Sequence, residues 1–354
     1  MKKTGKVLLI LLSAILVLLT AAGIVFYAFT HGFYRDSNFV KDEQAMEGYV
    51  TPPASESENV PEQEAQGEIL SEEEQEELDK MIEEFSSEEP VVTDSDVYNI
   101  LLAGVDRRDE SRAGNSDTMI LLSINYKKEQ ISMISLMRDT YVNIPGIGMR
   151  KLNAAHANGA GPLLVQTVSE NFKVQVDRYI SVDFAGMIGI IDDLGGIELT
   201  LSEEEVRVAN GYIREMCRLQ GLDAEDYLYP EAGTYNCSGM RAVAYARIRY
   251  VGNADYERTE RQRTVLTKMM EKLRLLDMQQ LYRFAKETLP LVTHNVPESE
   301  LWGLMLKIPS LSGYKLVKDR IPYDGMYRVI YVNGQDMLVP DWEETVQRLQ
   351  ETLF

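Results

Sequence analysis

Twenty-three consecutive residues, Val7 to Phe29, carry no charge, and only Ser13, Thr20 and Tyr27 interrupt their apolar character. At about 1.5 Å of rise per residue, a run of this length crosses a bilayer as a helix. A cleaved secretion signal would show a shorter apolar core and a small-x-small cleavage site, and neither is evident. Lys2, Lys3 and Lys6 flank the amino end. The positive-inside rule then predicts residues 1–6 in the cytoplasm, a membrane-spanning helix over 7–29, and everything from His31 onward outside the cell membrane.

Beyond the apolar run, charge sets the character of the chain. Its formal net charge is -20, and most of it lies between Lys41 and Ser95, where 19 Asp or Glu face only Lys41 and Lys80. With Pro52, Pro53, Pro61 and Pro90 and few aromatic residues, this stretch buries too little apolar surface to offset the entropy of ordering it. Residues 30–95 therefore read as an acidic, mostly disordered extracellular spacer. One exception is Ser71 to Phe85: Ser71 and Glu74 form a capping box, and Leu78, Met81, Ile82 and Phe85 recur at helical spacing. A short, marginal helix is predicted there.

From Asp96 to Phe354 apolar periodicity runs throughout, over a length sufficient for one large core. VYNILLAGVD (Val97 to Asp106), DTMILLSIN (Asp117 to Asn125) and ISMISL (Ile131 to Leu136) are continuous apolar runs, the pattern of central strands buried on both faces. Ala154 to Phe172 reads as a helix, Arg178 to Phe184 as a strand, Ala185 to Leu194 as a helix and Ile197 to Leu201 as a strand; Ser202 caps a helix running into Cys217. Helices continue from Gln262 onward, over Met278 to Leu289 and Glu298 to Lys307, then strand-like sequence and a helix from Asp341. The fold class expected is α/β: a central mixed β-sheet covered by helices on both faces.

Candidate chemistry gathers in two places. Asp106 follows one apolar run and Asp117 precedes the next, so two adjacent strands joined by a ten-residue loop put both carboxylates at one edge of the sheet. Arg138 and Asp139 follow the third run and emerge at the same edge. Such an oxygen-rich cluster suits a hard cation, Mg2+ or Mn2+, holding a phosphate. Taken singly, an Asp after a strand is more often a cap or turn former. The second place is Tyr245 to Arg263, YARIRYVGNADYERTERQR, with Arg247, Arg249, Arg258, Arg261 and Arg263. Arg258, Arg261 and Gln262 share a helix face, and guanidinium forks match phosphate oxygens. A salt-bridged surface helix satisfies the same spacing, since Asp255, Glu257 and Glu260 are interleaved.

Cys217 and Cys237 would lie on the oxidising side of the membrane, where a disulfide between them is expected; two buried free thiols are the alternative. With only His31, His156 and His294 in the chain, a zinc site is not expected, and His156 reads first as a structural histidine. The acidic balance and exported position argue against a nucleic-acid partner.

GVDRR (Gly104 to Arg108), NSDTMILLSIN (Asn115 to Asn125), SLMRDTYVNIPG (Ser135 to Gly146), KLNAAHANG (Lys151 to Gly159), YISVDFAGMIGIIDDLGGIEL (Tyr179 to Leu199), YARIRY and DYERTERQR resemble, in order, the motifs of the LytR-CpsA-Psr family. The resemblance covers essentially all of the chain outside the anchor and spacer. It implies that residues 96–354 form an extracellular catalytic domain of that family. Its members are membrane-anchored phosphotransferases of mainly Gram-positive envelopes, which move teichoic acids, capsular polysaccharides or other glycopolymers from undecaprenyl-pyrophosphate carriers to the muramic acid 6-hydroxyl of peptidoglycan. By the same resemblance Asp106 and Asp117 would coordinate magnesium, with Asp139 close by. Arg107, Arg138, Arg247, Arg249, Arg258 and Gln262 would contact the pyrophosphate, Asp255 would be the acid of the DxxR motif, and Lys151 would stand at the mouth of the site. Catalysis would fall to Asp106, Asp117, Arg138, Asp139 and Arg249. Where many members carry Arg, this chain has Asn115, and Arg112 is the nearest substitute.

The resemblance further implies a hydrophobic pocket for the polyprenyl chain. Phe184, Met187, Ile188, Ile190, Ile191, Val265, Leu266 and Met269 are apolar whether they form solid core or a lined tunnel, and core is the expectation for any one of them. Two other activities remain open: a polyprenyl-pyrophosphate hydrolase, and a non-catalytic membrane-tethered polyprenyl-phosphate-binding regulator.

Overall fold

The computed structural model describes residues 31, 32, 34–50, 66–88, 90–107, 111–249 and 255–354, with only the backbone of Asp255 and Ser312. The membrane-spanning helix predicted over 7–29 lies outside the described residues, and among those described no helix is long and apolar enough to cross a membrane.

The strands are β1 (Asn38–Phe39), β2 (Val97–Asp106), β3 (Asn115–Asn125), β4 (Gln130–Leu136), β5 (Tyr141–Ile144), β6 (Gly148–Lys151), β7 (Arg178–Asp183), β8 (Ile197–Leu201), β9 (Gly233–Cys237), β10 (Thr293–His294), β11 (Lys315–Ile321), β12 (Tyr327–Val332) and β13 (Gln335–Pro340). Seven of them form one mixed sheet in the order β1-β10-β7-β2-β3-β4-β11, while β5-β6, β8-β9 and β12-β13 pair separately. β2, β3 and β4 are consecutive antiparallel neighbours, and β7 joins β2 in parallel. The apolar runs read from sequence are thus the central strands.

The helices are α1 (Glu72–Glu88), α2 (Ala154–Phe172), α3 (Phe184–Asp193), α4 (Glu203–Gln220), α5 (Gly239–Ala246), α6 (Asp255–Leu273), α7 (Met278–Thr288), α8 (Glu298–Lys307) and α9 (Trp342–Leu353). Along β2 the buried Leu101, Ala103 and Val105 alternate with the partly exposed Leu102, Gly104 and Asp106. The first set packs with Tyr179, Leu164, Phe172, Trp342 and Leu349 into a core between the sheet and α1, α2 and α9. On the opposite face α3, α4, α5 and α6 bring together a second core around Ile191, Ile213, Val243 and Met269. The layered α/β architecture matches the fold class expected. α2 differs from the continuous helix expected: Gly159 and Ala160 leave helical backbone, and Pro162, which lacks an N–H, starts the second segment.

Within the acidic spacer the one helix expected is present, and residues 38–39, expected to be disordered, are also folded. The Ser71 capping box forms as predicted, the Ser71 hydroxyl accepting from the Glu74 N–H at 3.3 Å and Glu74 accepting from the Ser71 N–H at 2.8 Å. The helix it starts is not marginal, because Leu78 and Ile82 are buried in the first core. At its far end the buried Lys173 donates to the Ser86 carbonyl at 2.8 Å, a cation on orphan carbonyls of a helix C-terminus. Composition hid this because Leu78 and Ile82 gain their burial from a sheet that lies beyond the acidic stretch. Residues 38–39 likewise add a strand beside β10.

Cys217 and Cys237 are both buried free thiols, so the expected disulfide is not formed. The Tyr229 hydroxyl lies 3.2 Å from the Cys237 sulfur, and Cys237 pairs with Ile197 across β8 and β9. Both thiols sit within the second core rather than facing each other across a loop.

Candidate active site

The strand-end carboxylates are positioned by an irregularity that the sequence does not announce. Gly104 pairs with Thr118, yet Val105 pairs with Ser116, so Asp117 has no partner on β2 and stands as a β-bulge. A bulge adds a residue to one strand and re-aims its side chain. Asp117 and Asp106 consequently line the same cavity. The loop between the strands closes tightly against this edge. Gly114 takes φ +80, and a Cβ there would fall 2.5 Å from the Asp106 carbonyl oxygen. His156, buried and neutral with its pKa pushed down to about 4 by burial, donates from Nδ1 to the Gly114 carbonyl at 2.9 Å. His156 is structural, as expected.

Arg138 approaches from the end of β4. Its Nη1 donates to Asp117 Oδ1 at 2.9 Å, and Arg249 Nη2 reaches Asp117 Oδ2 at 3.5 Å. Behind it, Lys151 Nζ donates to Asp139 Oδ1 at 2.7 Å, and Arg138 Nε lies 3.3 Å from Asp139 Oδ2. Burial alone pushes the Asp139 carboxyl up, but Arg138 and Lys151 together outweigh it and hold it below the usual carboxylate range. The backbone around these groups is clasped on both sides. Asn153 N–H donates to the Arg138 carbonyl, its own carbonyl accepts from Ser116 N–H, and Leu338 N–H donates to the Asp139 carbonyl.

The cavity has a volume of about 1280 Å³. Asp106, Asp117, Arg138, Lys151, Arg247, Arg249, Arg258 and Gln262 all line it, together with Arg112 and Asn115. Two of the site residues expected are not on its wall. Arg107 turns away from Asp106, as successive strand residues do, and stacks over the Tyr49 ring at 5.4 Å. Asp139 sits behind Arg138. Asp255 opens α6, and its side chain lies outside the described residues, as does Arg108.

The arginine cluster divides. Arg258 and Gln262 face the cavity, whereas Arg261 is buried against Glu205 and Glu257, at 2.9 Å each, and Arg263 against Ser135 at 2.7 Å and Glu260. The helix face read as shared by Arg258, Arg261 and Gln262 is therefore split, because α4 presents Glu205 to one side of it. Arg247 lies between the rings of Phe184 and Tyr212, at 4.8 and 4.7 Å, with Glu215 at 3.3 Å.

Away from the charges the cavity becomes apolar. Phe184, Met187, Ile190, Val265, Leu266 and Met269 line it, with Ile180 and Val182 of β7 as floor. The core expectation holds for Ile191 and also for Ile190, Val265 and Met269, which are buried in the second core while one side of each of these three lines the cavity. Phe184, Met187 and Leu266 are only partly buried and serve as lobe wall. Sequence reasoning missed Asn153, Asn158, Asn333 and Gln335, which also line the cavity. Asn333 opens the two-residue turn of the β12–β13 hairpin and Gln335 follows it, the Asn333–Gly334 pair being the sequence signal.

Among the described residues no three His, Cys, Asp or Glu side chains gather to enclose a metal. Asp106 and Asp117 nevertheless offer hard oxygen donors of the kind that Mg2+ takes. The donor chemistry fits such an ion.

The LytR_cpsA_psr family profile matches residues 62–353. The chain belongs to the LytR_cpsA_psr family. Among LytR_cpsA_psr relatives, the chain is 31% identical over 236 residues to Biofilm regulatory protein A of Streptococcus mutans, a match covering 63% of this chain and 55% of that protein. It is 33% identical over 219 residues to the polyisoprenyl-teichoic acid–peptidoglycan teichoic acid transferase TagU of Enterococcus faecalis, covering 60% of this chain and 64% of that protein. The chain thus spans somewhat over half the length of these relatives. In fold it is similar to TagT bound to LI-WTA, with TM-score 0.58 and 24% identity over 76% of this chain and 95% of that one. It is similar also to the LytR-CPS2A-psr family protein YwtF (TagT) with bound octaprenyl pyrophosphate lipid, with TM-score 0.54 and 24% identity over 76% and 95%.

Proposed function

We propose that this protein transfers a phosphate-linked glycopolymer from a polyprenyl-pyrophosphate carrier to a hydroxyl of peptidoglycan, at a domain tethered outside the cell membrane by residues 7–29. One observation carries the reading: a single cavity joins an apolar lobe, suited to a prenyl chain, to a mouth where carboxylates and arginines converge. Water-excluding apolar walls beside a fixed cluster of guanidinium groups are what a lipid with an anionic head requires. The names of the TagU and TagT relatives agree with it.

In this reading the prenyl chain lies among Val182, Met187, Leu266 and Met269, and its pyrophosphate meets Arg138, Arg249, Arg258 and Gln262. The acceptor hydroxyl oxygen forms a bond to the phosphorus that bears the glycan. The bond from that phosphorus to the bridging oxygen breaks, and polyprenyl phosphate departs with the electron pair. The hydroxyl proton passes to a carboxylate of the Asp106–Asp117 pair. Mg2+ held by Asp106 and Asp117 would supply Lewis-acid neutralisation of the phosphoryl oxygens. The protein's own contribution is placement and fixed positive charge. Lys151 and Arg138 keep Asp139 ionised, so that it orients Arg138 toward Asp117.

The test is transfer of a labelled polyprenyl-pyrophosphate glycan to peptidoglycan fragments by the full chain in detergent, with Mg2+ and with chelator. Transfer that depends on Mg2+ and is abolished by Arg249→Ala supports the reading. Free glycan phosphate as the main product would make water the acceptor. Tight lipid binding without turnover would leave a regulatory module.

A further inference from the structure

We propose that the amide-bearing rim formed by Asn153, Asn158, Asn333 and Gln335 is the subsite for the acceptor glycan; the assignment rests on the transfer reading above. The four residues come from three separate elements, the β6–α2 junction, α2 itself and the β12–β13 hairpin, and all line the cavity. Asn and Gln carry both donors and acceptors, which is the pattern that a sugar's hydroxyl and acetamido groups need from a protein.

Asn153 gives the most direct indication of a ligand. It is only 2% exposed, and its side-chain Nδ2 is buried with no hydrogen-bond partner. Buried donors are rarely left unsatisfied in proteins, and one on a cavity wall calls for an acceptor atom from a bound molecule. Through its backbone Asn153 is bonded to both Arg138 and Ser116, the neighbours in the chain of Asp139 and Asp117, so the residue itself is fixed at the mouth of the site. Asn158 donates from Nδ2 to the Ala154 carbonyl at 2.8 Å, which directs its remaining amide oxygen. Asn333 and Gln335 make no side-chain hydrogen bond among the described residues, yet their backbone is well fixed. Asn333 at φ +51 and Gly334 at φ +81 form a two-residue turn, and the hairpin is tied beside Asp139 by the Leu338 N–H at 2.9 Å.

Direction makes the rim the acceptor side. The sheet order places β7, which floors the apolar lobe, on one flank of β2 and β3, and β4 on the other; the chain leaving the end of β4 carries Arg138 and then the Thr140 bridge to Leu338 of the hairpin. In-line displacement at phosphorus brings the attacking oxygen from the side opposite the leaving group. With polyprenyl phosphate departing toward the apolar lobe, the hydroxyl arrives across the amide rim.

The experiment uses the full chain in detergent and the double variant Asn333→Ala/Gln335→Ala, with Asn153→Ala as a second variant. Two readouts are taken: binding of soluble peptidoglycan glycan fragments to protein loaded with octaprenyl pyrophosphate, and KM for those fragments in the transfer assay. Loss of two hydrogen bonds to the sugar is expected to weaken fragment binding about tenfold and raise the acceptor KM to match. Affinity for octaprenyl pyrophosphate and kcat at saturating acceptor should stay within about twofold in the double variant. Unchanged fragment binding in both variants overturns the assignment, as does a loss confined to the lipid-linked donor glycan. If wild type binds fragments through this rim but transfers nothing, the subsite stands and the transfer reading falls.

Discussion

Asp117→Asn isolates the charge at the centre of the site. The substitution keeps side-chain shape and the bulge while removing one negative charge from between two guanidinium groups, at 2.9 Å and 3.5 Å. About a quarter of the Asp117 side chain is in solvent, at 25% exposure. Ion pairs that wet contribute under about 1 kcal/mol each, and an Asn carbonyl still accepts from Arg138, so stability should fall by only about 1 kcal/mol. Without its counter-charge the mouth becomes one unit more positive, and in the presence of chelator octaprenyl pyrophosphate should bind as tightly as to wild type or tighter. Turnover should behave oppositely. Removing one well-placed electrostatic partner of a transition state costs about 3–4 kcal/mol, or 10²–10³ in kcat. Lipid affinity by titration, turnover with labelled donor and thermal unfolding should be measured on the same preparation. Turnover within tenfold of wild type, or lipid affinity falling in step with kcat, would refute the argument.

Leu266→Trp places a larger ring in the apolar lobe; affinity for octaprenyl pyrophosphate should fall at least about tenfold, while that for geranyl pyrophosphate changes less than about twofold, both read by titration. Arg261→Ala leaves the Glu205 carboxylate without its buried partner and should destabilise the fold by about 3 kcal/mol in denaturant unfolding, with substrate KM unaltered in the folded fraction. Burial lowers the pKa of both His156 and His294 to about 4. Between about pH 6.5 and 4 the unfolded chain takes up protons that the folded chain refuses, so the stability these groups contribute is full above pH 6.5 and lost as pH falls toward 4, up to about 3 kcal/mol each. Denaturant unfolding across that range should show the slope, and His156→Gln should remove its share of it.

The central strands are legible because continuous apolar runs admit few other fates, and their antiparallel order puts Asp106, Asp117 and Arg138 at one edge on sequence alone. Other features depend on what lies across a gap in sequence. Val265 and Leu266 read alike as core or as tunnel wall, since only the separation between α6 and the sheet decides. Arg261 and Arg258 differ in role because Glu205, more than fifty residues upstream, meets one and not the other. Cys217 and Cys237 have a spacing that permits a bridge, but Tyr229 and the β8–β9 pairing seat Cys237 in the core. α1 is masked by its composition: an acidic helix looks unsupported until the sheet that buries Leu78 and Ile82 is in view.

The three carboxylates near the mouth are separated by environment rather than by sequence. Asp139 is enclosed, bonded to Lys151 and Arg138, and held below the usual carboxylate range, so at neutral pH it is a fixed anion with its oxygens engaged. A group so placed is a poor proton acceptor and a good anchor for a guanidinium. Asp106 and Asp117 face the cavity, where on the proposed reading the substrate meets them first. The bulge that releases Asp117 from the β2 register therefore matters as much as the residue itself. With a regular ladder the alternation of β3 would send that carboxylate to the face that buries Met119 and Leu121. On the proposed reading, Arg138 and Arg249 serve twice: they neutralise Asp117 before substrate arrives, and their guanidinium groups stand at the cavity wall where the pyrophosphate would be held.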